Sequence, residues 1–516
     1  MENLNAKWQE QLSEKGISEA QLQEQLENFK KGFPFARLTE AAVEDNGVLV
    51  FGEEQRENYR RLYREKASSE SILKFVPASG AATRMFKNLY AFYEKLKTSS
   101  TAEEPTADVR EFFDNLHRYA FYNELDEAVK KISGADLKQC MAEKKYLAVL
   151  DALLENPQGL GYGKKPKALL RFHAYPDGNR LALEEHLVEG ALYAQSGGVC
   201  RLHFTLSPEH RADFEAAVKA ALPHYEKKFN IRYDIFYSEQ KSSTDTVAVT
   251  LDNRIFTDAE GNMVFRPGGH GALIENLNDM DADVIFIKNI DNVTTDALRE
   301  DTVAYKELLA GVLMECREAV YGCLEKMENM TQVYPSFLQE VRALVCGKLG
   351  MKLPDNFDAM GQRVQLEYFR AVLDRPMRVC GVVRNTGEPG GGPFWVLSEG
   401  EKAPSRQIVE SSQVDRAAAD QKRIFETSRF FNPVDLVCSL YNHKHEKYDL
   451  RRFVDPQTAF ISQKSVKGTD IKAMELPGLW NGAMARWITL FVEVPQSVFT
   501  PVKTVNDLLR KEHQNL

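Results

Sequence analysis

Short apolar runs alternate with amphipathic helical stretches along the first half of the chain, and this pattern predicts an α/β fold. Apolar runs at 71–76, 168–173, 200–206, 231–237 and 284–290 are typical of buried strands. Amphipathic stretches such as ALEEHLVEGALYA lie between them. Strands that alternate with helices favour a mostly parallel sheet covered by helices on both faces.

The same pattern divides the chain into four predicted parts. Residues 1–66 form an N-terminal helical arm. Residues 67–300 hold the α/β core, which contains a helical insertion at about 88–160. Residues 301–375 are a second helical insertion, and residues 376–516 are rich in strand patterns and complete the core.

The N-terminal arm is rich in Gln, Glu and Lys. Ser18 followed by Gln21 predicts a capping box before the stretch AQLQEQLENF. This composition favours a solvated helical face. The alternative is an arm that reaches a second subunit, and a homo-oligomer is therefore one of the possible partners.

The length of the chain bears on the number of domains, and its charge on the class of partner. At 516 residues the chain is too long for one ordinary core, so several domains or one large unit with insertions are expected. The net charge of −9 argues against general nucleic-acid binding, which usually needs a basic face. A local basic pocket stays compatible with this charge.

The cysteines and apolar runs bear on the compartment. The seven cysteines are scattered without a CxxC pair, which favours free thiols in a reducing cytoplasm over disulfides or a zinc site. The N-terminal stretch is polar, unlike a signal peptide. No apolar run approaches the roughly 20 residues that span a bilayer, so no membrane partner is expected.

A glycine-rich turn surrounds a histidine at 267–271. Gly268 and Gly269 let the backbone approach a flat or anionic ligand closely, and His270 can contact a phosphate or a ribose. The alternative is an ordinary loop with an exposed histidine.

A carboxylate follows the apolar strand at 284–290. Asp291 stands just past the carboxyl end of this strand, where open α/β sheets bind ligands. Mg²⁺ prefers one or two carboxylates together with phosphate oxygens of the substrate. The turn and Asp291 together predict a nucleotide site with a metal. Alternatively, Asp291 caps the next helix.

Small residues follow the first apolar run, in the stretch PASGAATR at 77–84. Backbone N–H groups at such a turn can face phosphates at the start of a helix. Arg84 can then hold phosphate oxygens with two hydrogen bonds. Taken alone, the stretch is more often a tight strand–helix turn.

Lysines precede the strand at 168–173 and occur again near the end of the chain. Lys164, Lys165 and Lys167 form one cluster, and Lys503 stands between an extended segment and a helix that begins near Asn506. Lysines beside an anion site neutralise phosphate charge, although most lysines are solvated surface groups.

Two other kinds of site have little support. His443 and His445 form a His-x-His pair without a further ligand pattern, which argues against zinc. A Ser/His/Asp hydrolase is disfavoured because the chain has no GxSxG elbow.

Taken in order, these motifs resemble the UTP–sugar-1-phosphate uridylyltransferases, the family of UDP-glucose and UDP-N-acetylglucosamine pyrophosphorylases. The resemblance covers roughly residues 71–510. Residues 79–84 are similar to the GG-x-GTR loop of that family, and Pro166-Lys167 begins a match to its PK-x-LL segment. Residues 267–271 resemble its PGHGD or GNGG segment, and Asp291-Asn292 resembles its metal-binding DN.

Later segments carry the resemblance further. Gln240 is similar to the glutamine that recognises uridine in the family. Residues 406–410 resemble its sheet segment near the sugar, and residues 431–435 resemble its FNTNN stretch. Residues 501–509 resemble its PVK-x-x-x-DLL ending, whose lysine contacts phosphates. The whole chain is also similar to members of an uncharacterised bacterial family.

The resemblance implies a GT-A-like, Rossmann-related nucleotide-diphospho-sugar transferase core with helical insertions and a β-rich C-terminal portion. It implies that a sugar 1-phosphate attacks the α-phosphate of an NTP, with UTP favoured, and releases pyrophosphate. Its implied catalytic residues are Arg84, Lys167 and Lys503, and Asp291 is the implied ligand of Mg²⁺. The implied nucleotide-binding residues are Ser79, Gly80, Ala81, Thr83, Gln240, Gly268, Gly269 and His270, and Glu410 and Asn432 face the sugar.

Two departures from the family pattern leave alternatives open. Ser79 and Ala82 stand where the family has glycines, and an alanine at positive φ is disfavoured by about 1 kcal/mol or more. A long helical stretch also separates Arg84 from Lys167. One alternative is a sugar-nucleotide binding or regulatory protein without turnover. Another is an enzyme with guanylyl or other base specificity.

Overall fold

Helices and strands alternate along the chain, which confirms the predicted mixed α/β fold. The computed structural model describes residues 4–80, 82–98, 103–387, 390–466 and 468–515. The helices are α1 (Ala6–Lys15), α2 (Glu19–Lys31), α3 (Glu53–Lys66), α4 (Lys87–Thr98), α5 (Ala107–Asp114), α6 (Tyr122–Ser133), α7 (Leu137–Ala142), α8 (Tyr146–Leu154), α9 (Ala182–Tyr193), α10 (Arg211–Phe229), α11 (Ile274–Asn278), α12 (Arg299–Glu328), α13 (Pro335–Arg342), α14 (Gln362–Leu373) and α15 (Ala419–Glu426).

The strands are short and spread over the whole chain. They are β1 (Leu38–Ala41), β2 (Val43–Glu44), β3 (Gly47–Leu49), β4 (Ile72–Pro77), β5 (Arg171–His173), β6 (Arg180–Leu181), β7 (Gln195–Ser196), β8 (Val199–Leu206), β9 (Arg232–Glu239), β10 (Thr246–Val247), β11 (Val249–Thr250), β12 (Phe265–Arg266), β13 (Val284–Lys288), β14 (Met377–Arg384), β15 (Gly391–Val396), β16 (Ser405–Glu410), β17 (Phe430–Phe431), β18 (Asp435–Ser439), β19 (Phe460–Val466), β20 (Thr469–Glu475) and β21 (Ile488–Glu493).

The chain divides into two compact units, each built from three separate stretches of sequence. Unit 1 comprises Met1–Glu65, Glu239–Ile285 and Leu308–Val494, and unit 2 comprises Lys66–Ser238, Phe286–Glu307 and Pro495–Leu516. The predicted division into four consecutive parts stays a prediction. No helix within the described ranges has the length and apolar character needed to cross a bilayer.

Unit 2 contains one parallel pair among the predicted strands. β4 pairs parallel with β8, and β13 lies next to β4. The expectation of a mostly parallel sheet was wrong for β5, which pairs antiparallel with β6 in a separate two-stranded sheet, and β7 pairs antiparallel with β8. Every residue of β13 is buried, as are the first five residues of β4. Burial on both faces explains why these strands read as continuous apolar runs in the sequence.

The helical insertion belongs to the core of unit 2. Helices α4 to α8 bring Phe112 and Phe121 into the same buried cluster as Phe204, Val502 and Leu508. The insertion therefore shares one apolar core with the strands of the unit and with the final segment of the chain.

Unit 1 is built on strands of both directions. β14 pairs parallel with β21 and antiparallel with β18. Smaller sheets have the orders β1-β15-β16 and β11-β20-β19, and their strand pairs are antiparallel. Short connections such as that between β15 and β16 allow only antiparallel pairing.

The N-terminal helices are packed against unit 1 rather than solvated. Leu12 of α1 and Leu22 and Phe29 of α2 lie in one buried cluster with residues of β10, β11 and β20. The predicted capping box is present, since Ser18 Oγ accepts from the Gln21 backbone N–H and the Ser18 N–H donates to the Gln21 side chain. Strands β1 to β3 within this region were not predicted.

Helix α9 carries two buried carboxylates into the core of unit 2. Glu185 accepts hydrogen bonds from Arg299 Nη2 at 2.5 Å, His173 Nδ1 at 2.8 Å and Tyr175 Oη at 2.9 Å. Arg180 Nη1 lies 3.3 Å from Oε2 of Glu185, the oxygen that also accepts from Arg299. Burial raises the pKa of Glu185, but Arg299 and His173 outweigh that effect and bring the pKa to about 2.

Glu189 lies one helical turn further along the same face of α9. It pairs with Lys74 of β4 at 2.9 Å and with Lys288 of β13 at 2.7 Å, and it accepts from Tyr193 Oη at 2.9 Å. Burial raises the pKa of Glu189, while the two lysines lower it further than burial raises it. Both carboxylates are therefore charged in the core and depend on their cationic partners.

This polar face also fixes the loop that follows β13. His186 Nε2 lies 3.2 Å from the Ile290 carbonyl oxygen, and Arg299 Nη2 donates to the Thr294 carbonyl oxygen at 2.7 Å. The loop between these two carbonyl groups contains Asp291. Helix α9 therefore holds the backbone on which the predicted metal ligand stands.

Replacing Glu185 by Gln should destabilise unit 2 by about 3–5 kcal/mol, because buried Arg299 and Arg180 lose their common buried counter-charge and are left with the exposed Asp296. Circular dichroism during urea unfolding measures the loss of the helices. The four tryptophans, Trp8, Trp395, Trp480 and Trp487, all lie in unit 1, so fluorescence in the same titration reports on unit 1 separately.

The matched control is Glu94→Gln, which removes an exposed ion pair with Lys97. This variant should unfold almost as the wild type does. Equal stability of Glu185→Gln and the control would contradict the structural role given to Glu185.

Candidate functional site

A buried carboxylate between two lysines forms the centre of the site in unit 2. Asp291 is 6% exposed, and its Oδ2 accepts from Lys167 Nζ at 2.7 Å and from Lys503 Nζ at 3.0 Å. The three residues come from distant parts of the sequence. The structure thus brings together both predicted lysines and the predicted metal ligand.

Backbone hydrogen bonds hold the three segments in place. The Val502 N–H donates to the Asp291 carbonyl oxygen at 2.9 Å, and the Val502 carbonyl oxygen accepts from Lys167 Nζ at 2.7 Å. Asp507 accepts from the backbone N–H groups of Lys503 and Thr504, at 2.8 and 2.7 Å. Asp507 therefore fixes the turn that carries Lys503. This role was not predicted from the sequence.

The electrostatics of the cluster leave an excess of positive charge. Burial raises the pKa of Asp291, but Lys167 and Lys503 lower it more strongly, so the carboxyl titrates below its usual range. The Lys167 side chain is 11% exposed, whereas that of Lys503 is 60% exposed. Two ammonium groups face one carboxylate, and the accessible one is available to an anion from solvent.

The predicted phosphate loop lies against the Lys167 segment. The Lys167 N–H donates to the Gly80 carbonyl oxygen at 3.3 Å, and the Ala82 N–H donates to the Lys165 carbonyl oxygen at 3.1 Å. Ser207 Oγ donates to the Ser79 carbonyl oxygen at 3.2 Å. Ala81 lies outside the described residues.

The departures from the family glycines cause no backbone strain at the positions the structure describes. Ser79, Gly80 and Ala82 all have ordinary negative or extended φ, and a Cβ atom on Gly80 would meet nothing within 4 Å. Thr83 and Arg84 are exposed, and Arg84 forms no hydrogen bond or ion pair with the described part of the chain. The loop is therefore shaped differently from one that requires glycine.

A second cluster lies in unit 1, around the predicted glycine turn. A Cβ atom on Gly268 would lie 2.5 Å from the Thr244 carbonyl oxygen, and one on Gly271 would lie 2.2 Å from the Pro477 carbonyl oxygen. Gly269 has φ +77°, which disfavours a side chain there. Close packing within the protein is a sufficient reason for glycine at 268 and 271, and the backbone conformation is a sufficient reason at 269. The approach of a ligand to this turn stays a prediction.

His270 is oriented by the segment that follows β20. Its ring stacks on Trp480 with ring centres 4.4 Å apart, and its Nδ1 accepts from the Leu479 N–H at 3.1 Å. Burial lowers the pKa of His270, against the raising effects of Glu410 and Glu475. A neutral ring with Nδ1 as acceptor presents Nε2–H as its donor.

Glu410 lies beside this donor. Its Oε1 is 3.9 Å from His270 Nε2 and accepts from Asn481 Nδ2 at 2.8 Å. The structure thus brings the predicted sugar residue Glu410 close to the predicted nucleotide residue His270. Sequence reasoning missed Trp480 and Asn481, although a tryptophan beside Asn-Gly in a loop was a usable signal.

The remaining two predicted residues make local contacts. Gln240 Nε2 donates to Thr244 Oγ1 at 3.3 Å, near the glycine turn. Asn432 is buried, its N–H donates to the Gly391 carbonyl oxygen, and its Oδ1 accepts from the Val434 N–H at 3.1 Å. The Oδ1 atom of Asn432 is therefore used to shape its own loop.

The donor set for a metal is small. Nowhere in the described ranges do three or more His, Cys, Asp or Glu side chains converge as metal ligands. Oδ2 of Asp291 is occupied by the two lysines, and its Oδ1 is buried without a hydrogen-bond partner in the described structure. That orphaned oxygen is the atom available to a cation whose other ligands come from a substrate.

Comparison with known proteins identifies one family. The model described as "Domain of unknown function (DUF4301)" matches residues 5–514. No curated protein matches the chain. The resemblance to an uncharacterised family across the whole chain is confirmed.

Among solved structures, the chain is similar to pyrophosphorylases. A mutant UDP-glucose pyrophosphorylase from Leishmania major in complex with UDP-glucose has 14% identity and a TM-score of 0.44, over 98% of this chain and 79% of that one. The UDP-N-acetylglucosamine pyrophosphorylase from Trypanosoma brucei in complex with an inhibitor has 12% identity and a TM-score of 0.47, over 95% and 74%. The predicted resemblance is thereby confirmed, but at these values the likeness carries nothing about the reaction.

The stability contributed by Asp291 should depend on pH with a definite sign. The folded-state pKa lies below the unfolded value of about 3.9, so the stabilisation is complete above that value and is lost as the pH falls through the folded pKa. Asp291→Asn should therefore be less stable than the wild type at pH 7, and the difference should shrink below about pH 4. Urea unfolding of both proteins across pH 3–7 measures it. A difference that stays constant down to pH 3 would contradict this assignment.

Proposed function

The chain belongs to the DUF4301 family, and we propose that it is a nucleotidyltransferase that makes a nucleoside-diphosphate sugar from an NTP and a sugar 1-phosphate. UTP is the favoured nucleotide, because the motifs resemble uridylyl enzymes. The observation that carries the proposal is the buried Asp291 carboxylate between Lys167 and the exposed Lys503. Transfer at phosphorus needs positioning and charge neutralisation more than a covalent nucleophile.

The reaction requires no nucleophile from the protein. An oxygen of the sugar 1-phosphate attacks the α-phosphorus, and the bond from that phosphorus to the bridging oxygen of the β-phosphate breaks. The electron pair leaves with pyrophosphate. No proton has to move, because the attacking phosphate oxygen is already anionic.

The two lysines take different roles in this proposal. Lys167 is nearly buried and also held by the Val502 carbonyl oxygen, so it stays with Asp291 and keeps that carboxyl ionised. The exposed ammonium of Lys503 exchanges its contact with Asp291 for the α-phosphate or the sugar phosphate. Positive charge placed where negative charge develops lowers the barrier.

Asp291 would hold Mg²⁺ through its orphaned Oδ1, with phosphate oxygens of the substrate as further ligands. The bound ion would neutralise charge on the phosphates. The protein supplies only this one oxygen, because Oδ2 of the same carboxylate already accepts from two lysines. So small a set of ligands fits a metal that arrives together with the nucleotide.

Unit 1 carries the groups that the resemblance assigns to the base and the sugar. Gln240 and Gly269 would read the base, and His270 would line the nucleotide with Nε2–H as its donor. Glu410 would accept from a sugar hydroxyl. Asn432 is a weaker candidate, because its Oδ1 is engaged within its own loop. The GT-A-like core remains part of the proposal.

A reducing cytoplasm is the proposed compartment. The seven cysteines are free thiols, six of them buried. Thiols of this kind are typical of proteins from reducing compartments.

A non-catalytic sugar-nucleotide binding protein is the second candidate. One observation favours it: two ammonium groups lie within 3.0 Å of Oδ2 of Asp291, and their positive charges repel an incoming metal ion. Such a protein would bind the nucleotide and leave it intact.

Pyrophosphate release distinguishes the two candidates. We expect the purified protein with Mg²⁺ to release pyrophosphate from one pair of NTP and hexose 1-phosphate, tested in a panel of both. Release with one pair names both substrates. Binding of UTP or a UDP-sugar without release would contradict the enzyme and support the binding protein. A protein that neither releases pyrophosphate nor binds these nucleotides would have neither of the two proposed functions.

Replacing Lys503 by Met should lower kcat by about 10²–10³, the usual loss for one group that stabilises developing charge. The fold should be unaffected, because the side chain is exposed and Lys167 still pairs with Asp291. The matched control is Lys164→Met, which removes an exposed lysine paired with Glu155. Equal turnover of the two variants would remove Lys503 from the site.

Asp291→Asn tests the carboxylate without changing its shape. It should abolish the Mg²⁺-dependent reaction, while the Asn side chain keeps most of the packing that Ala would lose. Circular dichroism checks that the variant is folded at the assay temperature. Normal turnover by the folded variant would show that Asp291 binds no catalytic metal.

A further inference from the structure

A polar groove in unit 2 lies beside the predicted phosphate loop, and among the residues that line it the resemblance gives a ligand-binding role only to Arg84. Its volume is about 500 Å³. The starts of α4 and α5 form one wall, and the segment at 504–510 forms the other. The insertion that departs from the family pattern therefore supplies part of the groove.

The acidic groups that line the groove are already engaged. Asp108 Oδ2 accepts from Asn88 Nδ2 at 2.9 Å, and Glu111 Oε2 accepts from Asn506 Nδ2 at 2.9 Å. Asp507 accepts from two backbone N–H groups and pairs with Arg510 at 2.7 Å. These carboxylates hold the walls together and offer little to a ligand.

Two of the lining cations are not engaged. Arg84 and Lys87 form no hydrogen bond or ion pair with residues in the described ranges, and both side chains are exposed. By contrast, Arg118 donates to the Leu509 carbonyl oxygen and to Asn115. Arg84 and Lys87 are thus the groups left to meet an anion in the groove.

The backbone beneath these two cations is fixed. Met85, which lies between the two cations in the sequence, is buried, and its carbonyl oxygen accepts from the Val505 N–H at 3.1 Å. Asn506 is held by Tyr119 Oη at 2.9 Å and by the Asp108 carbonyl oxygen at 2.8 Å. Two cations three residues apart on a rigid rim suit an anion with two adjacent charged groups.

We propose that this groove binds a diphosphate group and that Lys87 is a phosphate-binding residue alongside Arg84. The proposal rests on the proposed function for the origin of the ligand, which is the β,γ end of a bound NTP or the free pyrophosphate product. The motifs assign a phosphate role to Arg84 but to no residue of the insertion. Lys87 adds a second positive charge that would bind the pyrophosphate leaving group.

Inorganic pyrophosphate is the probe for the first test, by isothermal titration calorimetry with the full chain. Lys87→Gln should weaken its binding about tenfold, the effect of losing one charge-assisted contact of about 1.4 kcal/mol. Lys87→Arg should restore most of the affinity. Lys95→Gln, an exposed lysine on the same helix, is the control and should bind as the wild type does. Wild-type affinity in Lys87→Gln, or no binding to the wild type, would overturn the proposal.

Titration with UTP and UMP separates the two sources of the diphosphate. If the groove holds the β,γ end of the nucleotide, Lys87→Gln weakens UTP and leaves UMP unchanged. If it receives only the product, both nucleotides bind unchanged while pyrophosphate binds more weakly.

The binding tests need no turnover, so the two proposals fail separately. Pyrophosphate binding that depends on Lys87 in a protein without turnover would support the groove and overturn the reaction. Turnover with unaltered pyrophosphate affinity and product inhibition in Lys87→Gln would support the reaction and overturn the groove.

Discussion

The buried carboxylates of helix α9 are the constraint on which unit 2 depends. Glu185 and Glu189 are fully buried, and charges in such a position are tolerated only with close and complete pairing. Their partners come from β4, β5, β13 and the start of α12. The strands and the loop after β13 are therefore placed by charge as well as by apolar packing. Because ion pairs are directional, this arrangement admits little variation in the position of Asp291.

The candidate site repeats the same principle at the surface of the unit, with one difference. Asp291 is paired twice, but one of its partners, Lys503, has most of its side chain in solvent. A buried cation cannot leave its counter-ion without a large desolvation cost, whereas an exposed one exchanges partners readily. In the proposed function, this division between a fixed and an exchangeable lysine would favour an incoming phosphate.

Much of this could be predicted from the sequence where the signal is local. The apolar runs at 71–76, 200–206 and 284–290 closely match β4, β8 and β13, because strands buried on both faces leave a continuous apolar pattern. The capping box at Ser18 needed only two residues of one turn. By contrast, β1 to β3 are too short to leave a pattern, and β1 and β3 pair with β15 and β21, hundreds of residues away.

The candidate site shows the same limit. Motif order pointed to Lys167, Asp291 and Lys503, but a pattern of single residues says nothing of which atoms meet. Gly268 was assigned to a ligand, although the atom that a side chain there would meet is the backbone carbonyl oxygen of Thr244. Glycine marks a close approach without revealing what approaches. Glu185 and Glu189 read as ordinary polar positions of an amphipathic helix, since burial of charge cannot be recognised without the partners.

The interleaving of the two units has a consequence for how the protein is made. Unit 2 contains residues 495–516, and Val502 and Leu508 lie in its apolar core. A ribosome delivers these residues after the whole of unit 1, so neither unit can complete its core while the first half of the chain is emerging. Domains usually fold one after another during synthesis, from the N-terminus onward. Here part of the core of unit 2 is supplied by a segment made more than three hundred residues after the helices of the insertion. The apolar side chains that Val502 and Leu508 cover should accordingly stay exposed until translation is nearly complete.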